Sequence, residues 1–416
     1  MNAFSYLFIL LIILDSALKH YLNLRQIAAV KRSFNQVPDA FNVQISLSDH
    51  QKAGRYTLAK LNLAKYELIF SIVLLLVFTF GGGINLIATI STFGNHPLTS
   101  QVLLIGIYAL LSSLLSLPFS YYSTFRIEQE FGFNQMTLKL FIIDLLKGSL
   151  LAIIIGAPLL YLVLWLMTMM GSNWWLWVWV VLVVFNLAIL IIYPTIIAPL
   201  FNKFSPLEDL ELKAKIEQLL TNCGFKSQGV FVMDGSKRSS HGNAYFTGLG
   251  ASKRIVFFDT LLKQLSHAEI IAVLAHELGH FKRKHILKQM LISFGIMLLG
   301  LFIFGLLINQ PWFYHGLNVD NINNASGLLL LMMVMGLISL PLAPLMSHMS
   351  RKNEFEADDF AKANSSASDL ISGLVKMYRD NASTLTPDEL YVKFYYSHPP
   401  ANLRIKNLEQ ECTVKA

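Results

Sequence analysis

The sequence contains few charged residues and very few cysteines. Of its 416 residues, 14% are charged and two are cysteine, whereas 54% are hydrophobic. A soluble globular domain is about one quarter charged, so this composition excludes an ordinary soluble protein. Cys223 and Cys412 both fall in segments that the loop charges place in the cytoplasm, where thiols stay reduced. We therefore predict no disulfide bond, and the spacing of the two residues fits no cysteine metal site.

Long apolar runs occupy much of the chain. A run of about 20 apolar residues can cross a hydrocarbon core of about 30 Å. The first run has no basic segment before it and no small-residue cleavage site after it, so we interpret it as a retained span rather than a signal peptide. The sequence thus predicts seven transmembrane helices, at residues 3–22, 66–90, 101–122, 140–169, 174–198, 290–309 and 327–349.

Lys and Arg are distributed unevenly among the loops. They are frequent after the first span, in residues 199–289 and in the C-terminal segment, but residues 91–100 and 310–326 contain none. Because basic residues in short loops stay on the cytoplasmic side, we expect the N-terminus outside and the C-terminus in the cytoplasm. This bias accounts for the formal net charge of +7 without a nucleic-acid partner. The expected surroundings are a lipid bilayer, and the oligomeric state stays open.

The spans and loops predict four segments. Residues 1–198 contain spans one to five with basic cytoplasmic loops, residues 199–289 form a cytoplasmic cap, residues 290–349 contain spans six and seven, and residues 350–416 form a cytoplasmic C-terminal segment. Within the cap, the runs GVFVMDG, AYFTGLG and RIVFF are typical of short strands. The predicted fold is therefore an all-α multi-pass membrane protein with a small cytoplasmic α/β cap.

Two charged residues lie inside the fourth predicted span. Asp144 and Lys147 would cost free energy if they faced lipid, about 2.5–3.5 kcal/mol each on insertion scales. They are three residues apart on a predicted helix near its cytoplasmic end. We expect them either to line the interior of the bundle or to pair with each other or extend towards the membrane surface.

His276, Glu277 and His280 form the pattern H-E-x-x-H. Histidines four residues apart share one helical face and can bind one zinc ion, and the intervening glutamate can act as general base on a zinc-activated water. The alternative is a solvated polar helix face. Ser266 and Glu269 have capping-box spacing at the start of this helix, and its pattern is compatible with one helix that continues into span six. The histidines would then lie just above the membrane surface.

A catalytic zinc site needs a third protein ligand. His285 lies off the face shared by the two histidines. Span seven ends in SRKNEFEADDFA, where Glu354 and Asp358 are four residues apart on one face. Glu354 is the predicted third ligand, and Asp358 is predicted to accept the other ring N–H of a zinc-bound histidine. Glu356 is the rival ligand, and an exposed acidic helix end is the alternative interpretation.

Several segments in order resemble signatures of the CAAX prenyl protease 1 family. They are FGFNQMT, PTIIAPLFNKFSPLEDLELK, GSKRSSHGNAYFTG, LAHELGHFKRKH, NEFEADDFA and YSHPPANLRI, between Phe131 and Arg404. Members of that family are seven-span zinc endopeptidases that cut after the prenylated cysteine of a CAAX tail or further upstream. The resemblance implies seven helices that enclose an interior chamber, a zinc-metallopeptidase cap, and one zinc ion per chain.

The resemblance also implies roles for individual residues. Glu277 is the implied base, Asn243 is implied to hydrogen-bond the substrate backbone, and His398 and Arg404 are implied to line the cleft, with His398 as an oxyanion donor. Without the resemblance, Asn243, His398 and Arg404 would be interpreted as structural residues. The implied zinc ligands are His276, His280 and Glu354.

The predicted function is an integral-membrane zinc metalloendopeptidase that hydrolyses prenylated CAAX-type C-termini, with its active site on the cytoplasmic side. Its expected partner is a prenylated or membrane-associated peptide. Short outer loops and the lack of an evident retrieval signal favour a bacterial inner membrane over the endoplasmic reticulum of a eukaryote. The alternatives are a quality-control zinc protease that cleaves unprenylated membrane proteins and, less favoured because no internal repeat occurs, a transporter or channel.

Overall fold

The computed structural model describes residues 1–92, 96–225, 227–247 and 254–410. In these residues, seven helical segments are long and apolar enough to cross a membrane, which confirms the predicted number of spans. Cys223 carries a free thiol, and Cys412 lies outside the described residues. The seven segments are Ala3–Arg32, Leu47–Phe78, Pro97–Glu128, Leu138–Met169, Gly171–Phe201, His285–Leu307 and Asn324–Asn364.

Spans three, four and five each contain a π-helical turn, at Ser123–Glu128, Ala152–Gly156 and Tyr193–Ile197. Such turns shift the backbone hydrogen-bond pattern of a helix by one residue. Each of these spans is therefore divided into two or more helical elements. The α-helices are α1 Ala3–Arg32, α2 Leu47–Phe78, α3 Gly83–Ile90, α4 Pro97–Tyr122, α5 Leu138–Leu151, α6 Ala157–Met169, α7 Trp174–Ile192, α8 Ala198–Phe201, α9 Leu210–Asn222, α10 Asp259–Gln264, α11 His267–Lys282, α12 His285–Leu307, α13 Pro311–His315, α14 Asn324–Asn364, α15 Ala367–Asp380, α16 Glu389–Tyr395 and α17 Ala401–Glu409.

The membrane helices keep their backbone hydrogen bonds internal and turn apolar side chains outward. Leu110, Leu146 and Ile153 are all exposed, as expected for residues that face hydrocarbon rather than water. Phe8, Phe304 and Tyr314 are fully buried in an apolar core that joins α1, α12 and α13. This core joins the first span to the end of span six and to the helix that follows it.

The cap contains a four-stranded sheet in the order β1-β2-β4-β3. Strands β2 and β4 are parallel, whereas β1 and β3 run antiparallel to their neighbours. The three strands that the sequence predicts are present, and β1 is an additional short one. Because β3 ends the strand order, it forms an edge of the described sheet. The strands are β1 Phe204–Pro206, β2 Val230–Met233, β3 Ala244–Thr247 and β4 Arg254–Phe258.

Helix α11 packs on α14 and α15. Its inner face is apolar, with Ile270, Leu274 and Leu278 buried in a core that includes Phe257 of β4. The helix begins as predicted, because Ser266 and Glu269 form a capping box. These contacts fix the position of the H-E-x-x-H motif relative to α14.

A single helix from residue 266 into span six does not form, so that interpretation is wrong. Helix α11 ends at Lys282 and α12 begins at His285. Between them, Lys284 has a φ of 58°, which lies in the left-handed region. A left-handed residue ends the helical hydrogen-bond ladder, and lysine rarely adopts this conformation. No glycine or proline in the sequence therefore marks this break.

The cap is attached to span four by an ion pair. Arg238 donates from Nε and Nη2 to the two carboxylate oxygens of Asp144, at 2.7 Å and 2.9 Å. Lys147 donates instead to the carbonyl oxygen of Leu200 at 2.8 Å. Asp144 therefore forms its ion pair with the cap rather than with Lys147.

Candidate metal centre

His276 and His280 lie on one face of α11, one helical turn apart. Their Nε2 atoms are 3.2 Å apart. His276 is buried, and His280 is partly exposed. The spacing of four residues therefore directs two imidazole nitrogens at the same point.

Helix α14 brings Glu354 to that point. Glu354 Oε2 is 3.4 Å from His276 Nε2, and Glu354 Oε1 is 3.2 Å from His280 Nε2. Ligands bound to zinc at about 2.0–2.1 Å in a tetrahedron are about 3.3 Å apart. The three side chains thus have the separations of a tetrahedral zinc site.

The chemistry of this group also fits a cation. Within the described residues, the buried Oε2 atom of Glu354 makes no close hydrogen bond, and its charged neighbours are His276 Nε2 at 3.4 Å and Arg404 Nη1 at 3.7 Å. An unsatisfied buried carboxylate oxygen is costly unless it pairs with a positive charge. Two imidazoles and one carboxylate are also the ligands of a common type of catalytic zinc site. We conclude that His276, His280 and Glu354 can hold a zinc ion.

Asp358 lies behind His276. Its Oδ1 atom is 2.8 Å from His276 Nδ1, the ring nitrogen opposite the ligand atom. Burial and the nearby Arg404 would lower the pKa of His276, but the carboxylates of Asp358 and Glu354 raise it above its usual value. The surroundings of His276 therefore stabilise positive charge.

Arg404 is buried beside the same carboxylate. It donates from Nη2 to Asp358 Oδ1 at 2.6 Å and from Nε to Oδ2 at 2.9 Å. Burial would lower the pKa of Arg404, but the bond to Asp358 raises it. Arg404 borders the cleft, and its guanidinium group is held by Asp358.

His398 stands at the open side of the group. Its Nε2 atom is 3.4 Å from Glu354 Oε1, and 62% of its side chain is exposed, towards the cleft. Its Nδ1 atom lies 2.9 Å from Ser397 Oγ. The protein around the cleft desolvates the imidazolium and lowers the pKa of His398, although Glu354 acts in the opposite direction. His398 is therefore available to a molecule in the cleft.

Glu277 and Asn243 border one large cavity. The cavity has a volume of about 910 Å³ and also reaches His276, His398 and Arg404. Asn243 precedes the edge strand β3, where its carbonyl oxygen accepts a hydrogen bond from Phe258 N at 2.9 Å. The residue before the edge strand and the glutamate of the H-E-x-x-H helix therefore line the same cavity.

Tyr56 and His241 also line this cavity, although the sequence did not rank them. Tyr56 donates to Glu128 Oε1 at 2.5 Å, and His241 Nε2 lies 3.4 Å from Glu128 Oε2. The His241 ring stacks on Phe133 at a centroid distance of 4.3 Å. His241 and Phe133 occur in segments that carry the family resemblance, but nothing local indicated that they meet.

His285 lies closer to the site than helical geometry predicted. Its Nδ1 atom is 3.1 Å from His280 Nδ1. An unbroken helix would have turned it about 140° away from His280. The left-handed residue Lys284 changes the chain direction and brings the two rings together.

Comparison with known proteins identifies both halves of the chain. Residues 26–203 match the CAAX prenyl protease N-terminal model, which has five membrane helices, and residues 206–412 match peptidase family M48. The CAAX prenyl protease 1 of Saccharomyces cerevisiae is 34% identical over 94% of this chain and 91% of its own length. A probable CAAX prenyl protease 1 of Schizosaccharomyces pombe is 40% identical over 75% of this chain and 65% of its own length. The crystal structure of S. mikatae Ste24p superposes with a TM-score of 0.92 at 33% identity, over 98% of this chain and 99% of that one.

Proposed function

Because the chain belongs to the CAAX prenyl protease 1 family of membrane metalloendopeptidases, we propose that it hydrolyses prenylated CAAX-type C-termini at one zinc ion held by His276, His280 and Glu354. Membership of peptidase family M48 implies a metal ion, generally zinc. The observation that carries the proposal is that these three side chains converge, with all ligand atoms within 4.8 Å of one another, beside a large cavity that His276 and Glu277 line.

The chemical step would use the residues around this point. Zinc bound there would activate a water molecule and polarise the peptide carbonyl group. Glu277, which follows His276 and faces the cavity, would take a proton from the attacking water and deliver it to the amine as the C–N bond breaks. His398 would donate a hydrogen bond to the carbonyl oxygen as negative charge develops on it.

Asp358 and Arg404 would support the site from behind. Asp358 accepts the ring proton of His276 and so directs Nε2 towards the metal position. Arg404 pairs with Asp358 in a bidentate bond and keeps that carboxylate charged. Arg404 would thus position the ligand His276 through Asp358. Because Arg404 also lines the cleft, it could contact the substrate as well.

The peptide would add to the edge strand β3, with Asn243 bonding its backbone. Leu61, Leu63 and Ala64 of α2 border the same cavity. A volume of about 910 Å³ lies within the range of about 300–1,000 Å³ for sites that enclose organic ligands. Apolar residues of a membrane helix beside the ligand residues support a substrate that combines a peptide with a lipid chain.

We place this active site on the cytoplasmic side of the membrane, with the N-terminus outside. The support is the distribution of Lys and Arg among the loops. The basic loop after α1 and the ligand-bearing end of α14 would then share one side.

The test is peptide cleavage by the purified protein in detergent or lipid. A farnesylated CAAX peptide should be cleaved and its unprenylated counterpart should not, and a zinc chelator should abolish the activity. Glu277→Gln protein serves as the control for a contaminating protease. Equal cleavage of both peptides would favour a quality-control protease for unprenylated substrates, and no cleavage of either would contradict peptidase activity on this substrate class.

A further inference from the structure

The opposite side of the metal centre contains a buried histidine that the proposed mechanism leaves without a role. His285 is 3% exposed on its side chain and begins α12. Its Nδ1 atom is 3.1 Å from His280 Nδ1, and its Nε2 atom is 3.2 Å from Glu356 Oε2. His280, His285 and Glu356 therefore form a continuous chain of contacts that leads away from the metal position.

Only one arrangement of protons satisfies all these contacts when His280 is a ligand. Its Nε2 atom faces His276 and Glu354, so Nε2 must be unprotonated and Nδ1 must carry the proton. That proton is donated to Nδ1 of His285, which must then be the unprotonated nitrogen. The proton of His285 is consequently on Nε2, from which it is donated to a carboxylate oxygen of Glu356.

The two ligand histidines are thus supported in parallel ways. His276 donates from Nδ1 to Asp358 directly, whereas His280 reaches a carboxylate through His285. Glu354, Glu356 and Asp358 are alternate residues of α14, and each contacts a different set of imidazoles. Glu356, the rival ligand of the sequence analysis, points to a different face from Asp358 and contacts His285 there.

We propose that His285 and Glu356 are positioning residues that fix the tautomer and ring orientation of His280 for zinc binding. The inference rests on the proposed zinc site. Partners of this kind commonly change metal affinity by about 10-fold to 100-fold when removed. The left-handed turn at Lys284 has a role in this arrangement, because it places His285 beside His280.

Zinc affinity of the full-length protein, measured by competition with a chelator of known affinity, tests the proposal without reference to activity. His285→Ala should bind zinc about 10-fold more weakly than wild type. His285→Asn should recover part of this loss, since the amide oxygen of the new side chain can accept the His280 proton from the position of Nδ1. His267→Ala is the matched control. Within the described residues, the ion-pair partners of His267 are Asp209 and Glu211, and neither belongs to the metal centre.

Glu356 supplies a second, milder variant, because it is about one third exposed and its loss leaves the core intact. Glu356→Ala should weaken zinc binding in the wild-type background but have no further effect in His285→Ala, since it acts only through that histidine. Asp359→Asn, an exposed neighbour on α14, should bind zinc as wild type does.

Wild-type zinc affinity in both His285→Ala and Glu356→Ala would overturn the proposal, and so would losses that add in the double variant. Failure of the wild-type protein itself to bind zinc would be a different result. It would overturn the proposed function and this inference together.

Discussion

Gly279 of α11 lies directly against Ala357 of α14, and a β-carbon at position 279 would be 2.9 Å from the Ala357 Cα atom. The neighbour is backbone and cannot rotate away. This close approach holds the helix of His276 and His280 against the helix of Glu354. The glycine of the HELGH segment therefore has a packing role in the metal centre.

Gly279→Ala should separate the two helices. Overpacking of this kind costs about 1–3 kcal/mol, and it should also weaken zinc binding because Glu354 moves away from the histidines. Thermal unfolding and zinc content measure the two effects. Gly295→Ala on α12 is the control, since a β-carbon added at that position would have no described atom within 4 Å; an equal loss in both variants would point to a general helix effect.

Glu277→Gln should keep the fold and the zinc ion but lose activity by about 10²–10⁴-fold, because an amide cannot accept the proton of the attacking water. Turnover of a farnesylated peptide and metal analysis on the same sample separate the two properties. Near-normal turnover would remove Glu277 from the role of base.

Asp358→Asn should destabilise the protein and weaken zinc binding. It leaves the buried guanidinium group of Arg404 without its carboxylate, and breaking a buried pair costs about 3–5 kcal/mol. Zinc affinity should fall because the neutral amide would no longer hold His276 through a charged acceptor. Chelator competition and thermal unfolding check both, and Asp359→Asn is the exposed control. Unchanged affinity would limit Asp358 to a structural role.

Asn243→Ala and His398→Ala should differ in kinetics. Asn243 precedes the edge strand, so its loss should mainly raise KM through weaker peptide binding. His398 stands 3.4 Å from Glu354 Oε1 at the open side of the site, so its loss should lower kcat by about 10²-fold. Wild-type kinetics in both variants would contradict these roles in binding and catalysis and would indicate that both residues are structural.

The spans and the three main strands could be predicted from the sequence because they depend on local patterns. Apolar runs of membrane length and short β-branched runs indicate their structures without knowledge of their neighbours. Glu354 could be proposed as the third ligand from its spacing to Asp358 and from the family resemblance, but its convergence on the two histidines depends on the packing of α14 against α11.

The contacts around His285 could not be predicted. They depend on a left-handed conformation at Lys284, and a lysine gives no local signal for it. The same holds for Arg238, which pairs with Asp144 of span four although the two residues are far apart in sequence. Long-range polar pairs of this kind arise from the fold and follow no periodic pattern.

The most direct test of the account is anomalous diffraction at the zinc absorption edge from crystals of the purified protein. We predict one strong peak per chain, about 2.0–2.2 Å from His276 Nε2, His280 Nε2 and a carboxylate oxygen of Glu354. A peak at other residues, or no peak from zinc-loaded protein, would contradict the proposed metal centre.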